Sequence, residues 1–325
     1  MFAGDGIAST FFCDARLFSF PAKPVTTAPN GAAMTRIVTA LAEISQPYDA
    51  LFCDLWGCVH NGVDPFPAAV AALRQFRKTG GKVVLVTNAP RPSAFVITAL
   101  DRMGVPRDAW DIVVSSGDAA QQAMLAGAVG RRVWHLGPAK DDGFFTEIPP
   151  EWATAAPIER VALDDAEAII CTGPFEELTE VPEDYRARFL LAKTRGLPML
   201  CANPDLIVDM GARRIYCAGA LAALYEEMGG RVLYFGKPHP PIYDLAMRRL
   251  SALGASDESR VLAIGDGINT DIAGAAGEGI DALFITGGID ADQFGPDPAN
   301  PDPVLLTGWL AAQGQSPQFA SGFLR

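Results

Sequence analysis

The stretch Asp49-Ala-Leu-Phe-Cys-Asp54-Leu-Trp56-Gly-Cys-Val-His-Asn-Gly62 decides how the rest of the chain is read. Its apolar run, Ala50 to Cys53, is short and unbroken, the pattern of a buried parallel strand, and it ends in a carboxylate at Asp54. The chain then turns at once through Gly57, Asn61 and Gly62. An ionised aspartate at the end of a buried strand is costly unless something there needs it. In open α/β sheets, that carboxyl end is where ligands bind. Taken alone, Asp54 is equally well a turn cap.

Further along, the same pattern recurs. Pro65 and Pro67 precede a helical stripe of Ala69, Val70, Leu73 and Phe76 that stops at Gly80-Gly81. Lys82 to Asn88 is an apolar strand ending in Thr87 and Asn88, and Trp110 to Gly117 is a third, ending in two serines. Strand and helix alternate, which predicts a parallel sheet with right-handed crossovers. From about Arg131 the rhythm changes: Gly137 to Pro157 reads as loop, and new strands are expected at 168–172 and 198–201. Residues 131–230 therefore read as a second α/β module inserted into the first. The first rhythm is expected to resume at Arg231-Val-Leu-Tyr-Phe235-Gly236-Lys237, followed by strands at Arg260 to Asp266 and Asp281 to Thr286.

The resulting expectation is an α/β protein with a Rossmann-like, doubly wound parallel sheet. Its core would comprise residues 34–130 and 231–325, with 131–230 as the insert. Met34 to Ile44 reads as a helix leading into the Asp54 strand, and residues 1–33 as a loose extension without chemistry. That extension lacks the basic start and unbroken apolar core of a signal peptide.

Composition narrows the function. The chain has 325 residues, 49% hydrophobic and 20% charged, a globular balance with room for two cores. A net charge of −12 argues against nucleic acid or an anionic membrane surface as partner. No apolar run approaches the roughly 20 residues a bilayer span needs. The six cysteines are scattered without metal-binding spacing, several in apolar runs, so a reducing, cytoplasmic setting is expected.

Four strand ends thus carry polar groups: Asp54; Thr87-Asn88; Lys237; and Asp266 with Asp271. In this order they resemble the four motifs of the haloacid dehalogenase superfamily of phosphatases. Gly236-Lys-Pro-His-Pro-Pro-Ile-Tyr243 and Asn203-Pro-Asp205 are similar to its class IIA branch, the NagD-like and 4-nitrophenyl phosphatases. The resemblance implies a magnesium-dependent hydrolase of small phosphorylated metabolites, with the insert as a C2-type cap able to contribute to a homodimer. It implies Asp54 as nucleophile, and Asp54, Asp266, Asp271 and the Trp56 backbone carbonyl as Mg²⁺ ligands. Lys237, the Thr87 hydroxyl and the Asn88 backbone N–H would hold the phosphoryl group. These roles agree with what phosphoryl transfer demands of residues in such positions.

One departure stands out. The family's Asp-x-Asp reads Asp54-Leu55-Trp56 here, and an indole transfers no proton near neutral pH. Loss of a general acid/base typically costs about 10²–10⁴-fold in rate. His60 and Asp64 are the nearest substitutes in sequence. Binding of phospho-ligands with little turnover is the alternative. A metal-free dehalogenase reading is disfavoured by the paired Asp266 and Asp271. In the insert, Asn203, Asp205, Arg213 and Tyr216 are the candidates for contacting the leaving group, while His135 and His239 read as structural.

Overall fold

The computed structural model describes residues 34–210, 213–256 and 258–325. The expected extension at residues 1–33 lies outside them. Two parallel sheets and a two-stranded antiparallel hairpin make up the fold. The first has seven strands: β1 (Arg36–Ile37), β2 (Ala50–Cys53), β3 (Lys82–Thr87), β4 (Ile112–Ser115), β12 (Val261–Gly265), β13 (Asp281–Ile285) and β14 (Phe319–Ser321). Their order is β1-β14-β13-β12-β2-β3-β4. The Asp54 strand, β2, is central, flanked by β3 and β12 in register Cys53↔Leu85 and Ile264↔Cys53. Its four residues are all buried, which is why the sequence there shows no alternation. The nucleophile candidate, the Thr87-Asn88 turn and Asp266 all leave this sheet at its carboxyl edge.

Helices cover both faces: α1 (Pro67–Lys78), α2 (Ser93–Arg102), α3 (Ser116–Leu125), α7 (Pro240–Ala252), α8 (Ala273–Glu278) and α9 (Pro303–Gln313). Proline at the start of α1 suits a first turn with no N–H to satisfy. At the foot of α3, Ser115 and Asp118 form a reciprocal cap.

The second sheet contains β5 (Arg132–Leu136), β6 (Glu159–Arg160), β7 (Ala168–Cys171), β8 (Pro198–Cys201) and β11 (Arg231–Tyr234), in the order β11-β8-β7-β5-β6. With it go α4 (Gly143–Thr146), α5 (Arg186–Thr194), α6 (Ala218–Glu227) and the antiparallel hairpin of β9 (Ile207–Met210) and β10 (Arg213–Tyr216).

Two expectations need correction. Residues 231–234 do not rejoin the first sheet: β11 pairs with β8, Tyr234 opposite Cys201, so the return to the first sheet comes after it. An apolar run at the end of a crossover fits either sheet, and composition alone does not assign it. Likewise, Met34 to Ile44 is not a helix. Arg36–Ile37 pairs parallel with Phe319–Ser321, followed by a single 3₁₀ turn at Leu41–Glu43. The partner strand comes from the far end of the chain, beyond the reach of local periodicity.

The two sheets are joined by apolar packing. Phe52, Val84 and Val114 of the first share one buried cluster with Val133, Ile170 and Leu200 of the second. Among the described residues no helix is long and apolar enough to cross a membrane.

Candidate active site

The carboxyl edge of the first sheet gathers three buried carboxylates around one ammonium. Lys237 Nζ donates to Asp54 Oδ1 at 2.5 Å and to Asp271 Oδ1 at 2.7 Å. All three side chains are at least nine-tenths buried. Burial opposes the lysine's charge, but Asp271 and Asp54 outweigh it and hold the ammonium well above the usual lysine range. Asp54 is pushed up by burial against the pull of Lys237. Burial raises Asp271 to about 6. Asp266 accepts the Ile289 N–H at 3.0 Å, and its carboxyl lies well above the ordinary range, through burial first and the Asp54 charge second.

If all were ionised, three carboxylates and one ammonium would leave two negative charges buried without a counter-charge. Such an arrangement is expensive unless a cation joins it. Ligand atoms of Asp54, Asp266 and Cys58 lie within 4.8 Å of one another, so the donors converge on one point. Carboxylate oxygens suit a hard divalent cation such as Mg²⁺. Cys58 does not, since burial holds its thiol well above the usual range and keeps the proton on sulfur. Asp271 stands apart from this trio, bound to Lys237 and to the Gly267 N–H at 3.1 Å. Gly57 makes room for the acid: its φ of 72° disfavours any side chain, and a Cβ there would sit 2.0 Å from Asp266 Oδ2.

Thr87 and Asn88 are both buried where β3 ends. The Thr87 hydroxyl accepts the Ala89 N–H at 3.2 Å, which leaves its own hydrogen to donate. The Asn88 side chain does something the sequence reading missed. Its Oδ1 accepts the Lys237 N–H at 2.7 Å, while Nδ2 donates to the Lys237 carbonyl at 3.1 Å and to Asp205 Oδ1 at 2.7 Å. It therefore clamps the lysine's backbone and ties the insert to the core. An asparagine after a strand reads as a turn, and its partners lie 149 and 117 positions away.

Of the four insert candidates, the structure brings one into this network. Asp205 is recessed but reached by solvent, and burial raises its carboxyl against the lowering effect of Asn88. Asn203 shapes the loop, its Oδ1 accepting the Asp205 N–H at 2.9 Å. Arg213 and Tyr216 stand exposed on the hairpin strand β10.

His60 is buried, with its ring edge-on to the Trp56 indole at 5.3 Å, and Nδ1 accepts the Gly62 N–H at 3.0 Å. Burial lowers it to about 4, so it is neutral near pH 7. Asp64 is exposed. The indole itself packs over Gly62. His135 meets Thr172 in the insert, and His239 stacks on Tyr234.

The comparisons agree with this geometry. A family model described as haloacid dehalogenase-like hydrolase matches residues 51–148, and a second, HAD-hydrolase-like, matches 234–307. A haloacid dehalogenase-like hydrolase from Brucella suis superposes with a TM-score of 0.76 at 39% identity, covering 89% of this chain and 100% of that one. The D-glycerol 3-phosphate phosphatase of Mycobacterium tuberculosis is 28% identical over 257 residues, 77% of this chain. The chain spans 66% of that relative's length. A glycerol phosphate phosphatase structure from the same organism, in complex with magnesium, has a TM-score of 0.58 at 27% identity, over 78% of this chain and 74% of that one. The polar ends of β2, β3 and β12, the lysine loop before α7 and these matches together place the chain in the haloacid dehalogenase-like family of hydrolases.

Proposed function

We propose that the protein is a Mg²⁺-dependent phosphatase that hydrolyses a small phosphomonoester through an aspartyl-phosphate at Asp54. The observation that carries this reading is the buried Asp54–Lys237–Asp271 triad beside Asp266, a site whose carboxylates outnumber its ammonium and which a bound cation would neutralise. Asp54 and Asp266, with the Trp56 backbone carbonyl, would hold the cation, and Asp271 would orient Lys237 and the cation's waters. When bound, Mg²⁺ would neutralise the phosphoryl oxygens and let two anions approach. Lys237 donates to a phosphoryl oxygen and keeps Asp54 ionised as nucleophile. The Thr87 hydroxyl and the Asn88 N–H receive the remaining oxygens. The insert would act as a cap over the crevice, limiting water and selecting the leaving group. The glycerol phosphate phosphatases among the relatives favour a small, polar phosphorylated metabolite as substrate.

Phospho-ligand binding with little turnover is the second reading, favoured by the Trp56 indole standing where the resembled Asp-x-Asp motif has a carboxylate. Chelator-sensitive release of phosphate from 4-nitrophenyl phosphate separates the two. A phosphatase shows turnover that EDTA abolishes and Asp54→Asn lowers by at least about three orders of magnitude. A binder shows phosphate-dependent thermal stabilisation and no turnover.

A further inference from the structure

If the site is a phosphatase, it needs a group to protonate the leaving oxygen and later to deprotonate water, and Trp56 cannot be that group. We propose that Asp205, delivered from the insert, performs this proton transfer. The reading rests on the function proposed above and adds a residue to it.

Hydrogen bonds at the two ends of Lys237, its ammonium and its backbone, link the nucleophile to Asp205 by way of Asn88. Asp54 is bonded to the Lys237 ammonium, the Lys237 backbone to Asn88, and Asn88 to Asp205. Asp205 is the one carboxylate of the insert joined to this network among the described residues. It is fixed from both sides. Asn203 accepts its N–H, and its carbonyl accepts the Gly219 N–H at 3.1 Å at the start of α6. The packing there leaves no slack, since a Cβ on Gly219 would lie 2.1 Å from the Pro204 carbonyl oxygen. Asn88 donates to Oδ1, which leaves Oδ2 outside that hydrogen bond. Groups facing the carboxylate are the Asn88 amide, the Cys201 and Cys217 thiols and, through space, the Lys237, Asp271 and Asp54 charges. A recessed carboxyl in such surroundings keeps a proton to higher pH than a surface aspartate.

The chemistry balances. Asp54 Oδ attacks phosphorus while the bond from phosphorus to the leaving oxygen breaks, and the Asp205 carboxyl gives its proton to that oxygen. Asp205, now ionised, takes a proton from water as the water oxygen attacks phosphorus. The bond between Asp54 and phosphorus breaks, releasing inorganic phosphate and restoring both carboxyl groups.

The test compares phenyl phosphate with 4-nitrophenyl phosphate, whose leaving phenol is far more acidic and needs little protonation. Asp205→Asn retains an oxygen for the Asn88 amide and should lower turnover of phenyl phosphate by about 10²–10⁴-fold. With 4-nitrophenyl phosphate it should release the first nitrophenol within about tenfold of the wild-type rate. It should then stall at one per site, because the base for water is gone. Equal first-turnover losses on both substrates, or no loss on either, would overturn the assignment. Asp205→Ser, checked for an unchanged melting temperature and Mg²⁺-induced stabilisation, guards against a folding defect and should behave in the same way. Wild-type protein without chelator-sensitive turnover of either ester would instead sink the phosphatase reading, and the assignment with it.

Discussion

Lys237 is shared between Asp54 and Asp271, and removing its charge strands two carboxylates in a buried pocket. Breaking a buried ion pair from one side costs roughly 3–5 kcal/mol, because the partner's desolvation is no longer offset. Lys237→Met should lose stability of that order in urea unfolding with EDTA present, and Mg²⁺ should restore part of it. Unchanged stability would mean that the pocket is wetter than the geometry implies. Asp271 supplies a pH signature of the metal-free protein. Its folded carboxyl is raised to about 6 from an unburied value of 3.8, so between those values the folded state binds more protons than the unfolded state. Stability from this group is therefore present below pH 4 and declines as pH rises towards 6. The gap in melting temperature between wild type and Asp271→Asn should shift against the wild type across that window. Stabilisation by Mg²⁺ should grow over the same range, as cation replaces proton.

Loops at strand ends decide the site, and one of them depends on a single glycine. Gly219→Ala would push the Pro204-Asp205 peptide away from α6, since the added carbon falls 2.1 Å from backbone oxygen. The expected cost is about 1–3 kcal/mol of stability, as for other overpacked positions. Activity should fall while Mg²⁺-induced stabilisation, which depends on the first sheet, is retained. Loss of both together would show that the loop and the acid cluster are one unit.

At this scale much was legible. Continuous apolar runs at Ala50–Cys53, Lys82–Thr87 and Val261–Gly265 mark strands buried on both faces, and the polar residue ending each marks the ligand edge. What escaped were features set by long-range pairing. Arg231–Tyr234 has the same apolar pattern whichever sheet receives it, and Arg36–Ile37 becomes a strand only because Phe319–Ser321 arrives beside it. Asn88 escaped for the same reason, its side chain acting on residues distant in sequence.

The two sheets behave as one body in the packing. Besides the shared apolar cluster, Arg91 of the first reaches Asp141 of the insert at 2.8 Å, and Asn88 reaches Asp205. Cooperative units follow contiguous buried cores. Heating should therefore give a single transition by calorimetry, with near- and far-ultraviolet circular dichroism coincident; two separated transitions would show that the insert melts alone.

The central claim is that Asp54 attacks phosphorus in a cation-filled crevice, and the covalent intermediate tests it most directly. Protein mixed with 4-nitrophenyl phosphate and Mg²⁺, quenched in acid and digested, is read by mass spectrometry for a phosphoryl adduct on the peptide carrying Asp54. The account predicts that adduct on Asp54, enriched in Asp205→Asn and absent with EDTA or in Asp54→Asn. Full turnover with no adduct, unaffected by Asp54→Asn, would contradict it.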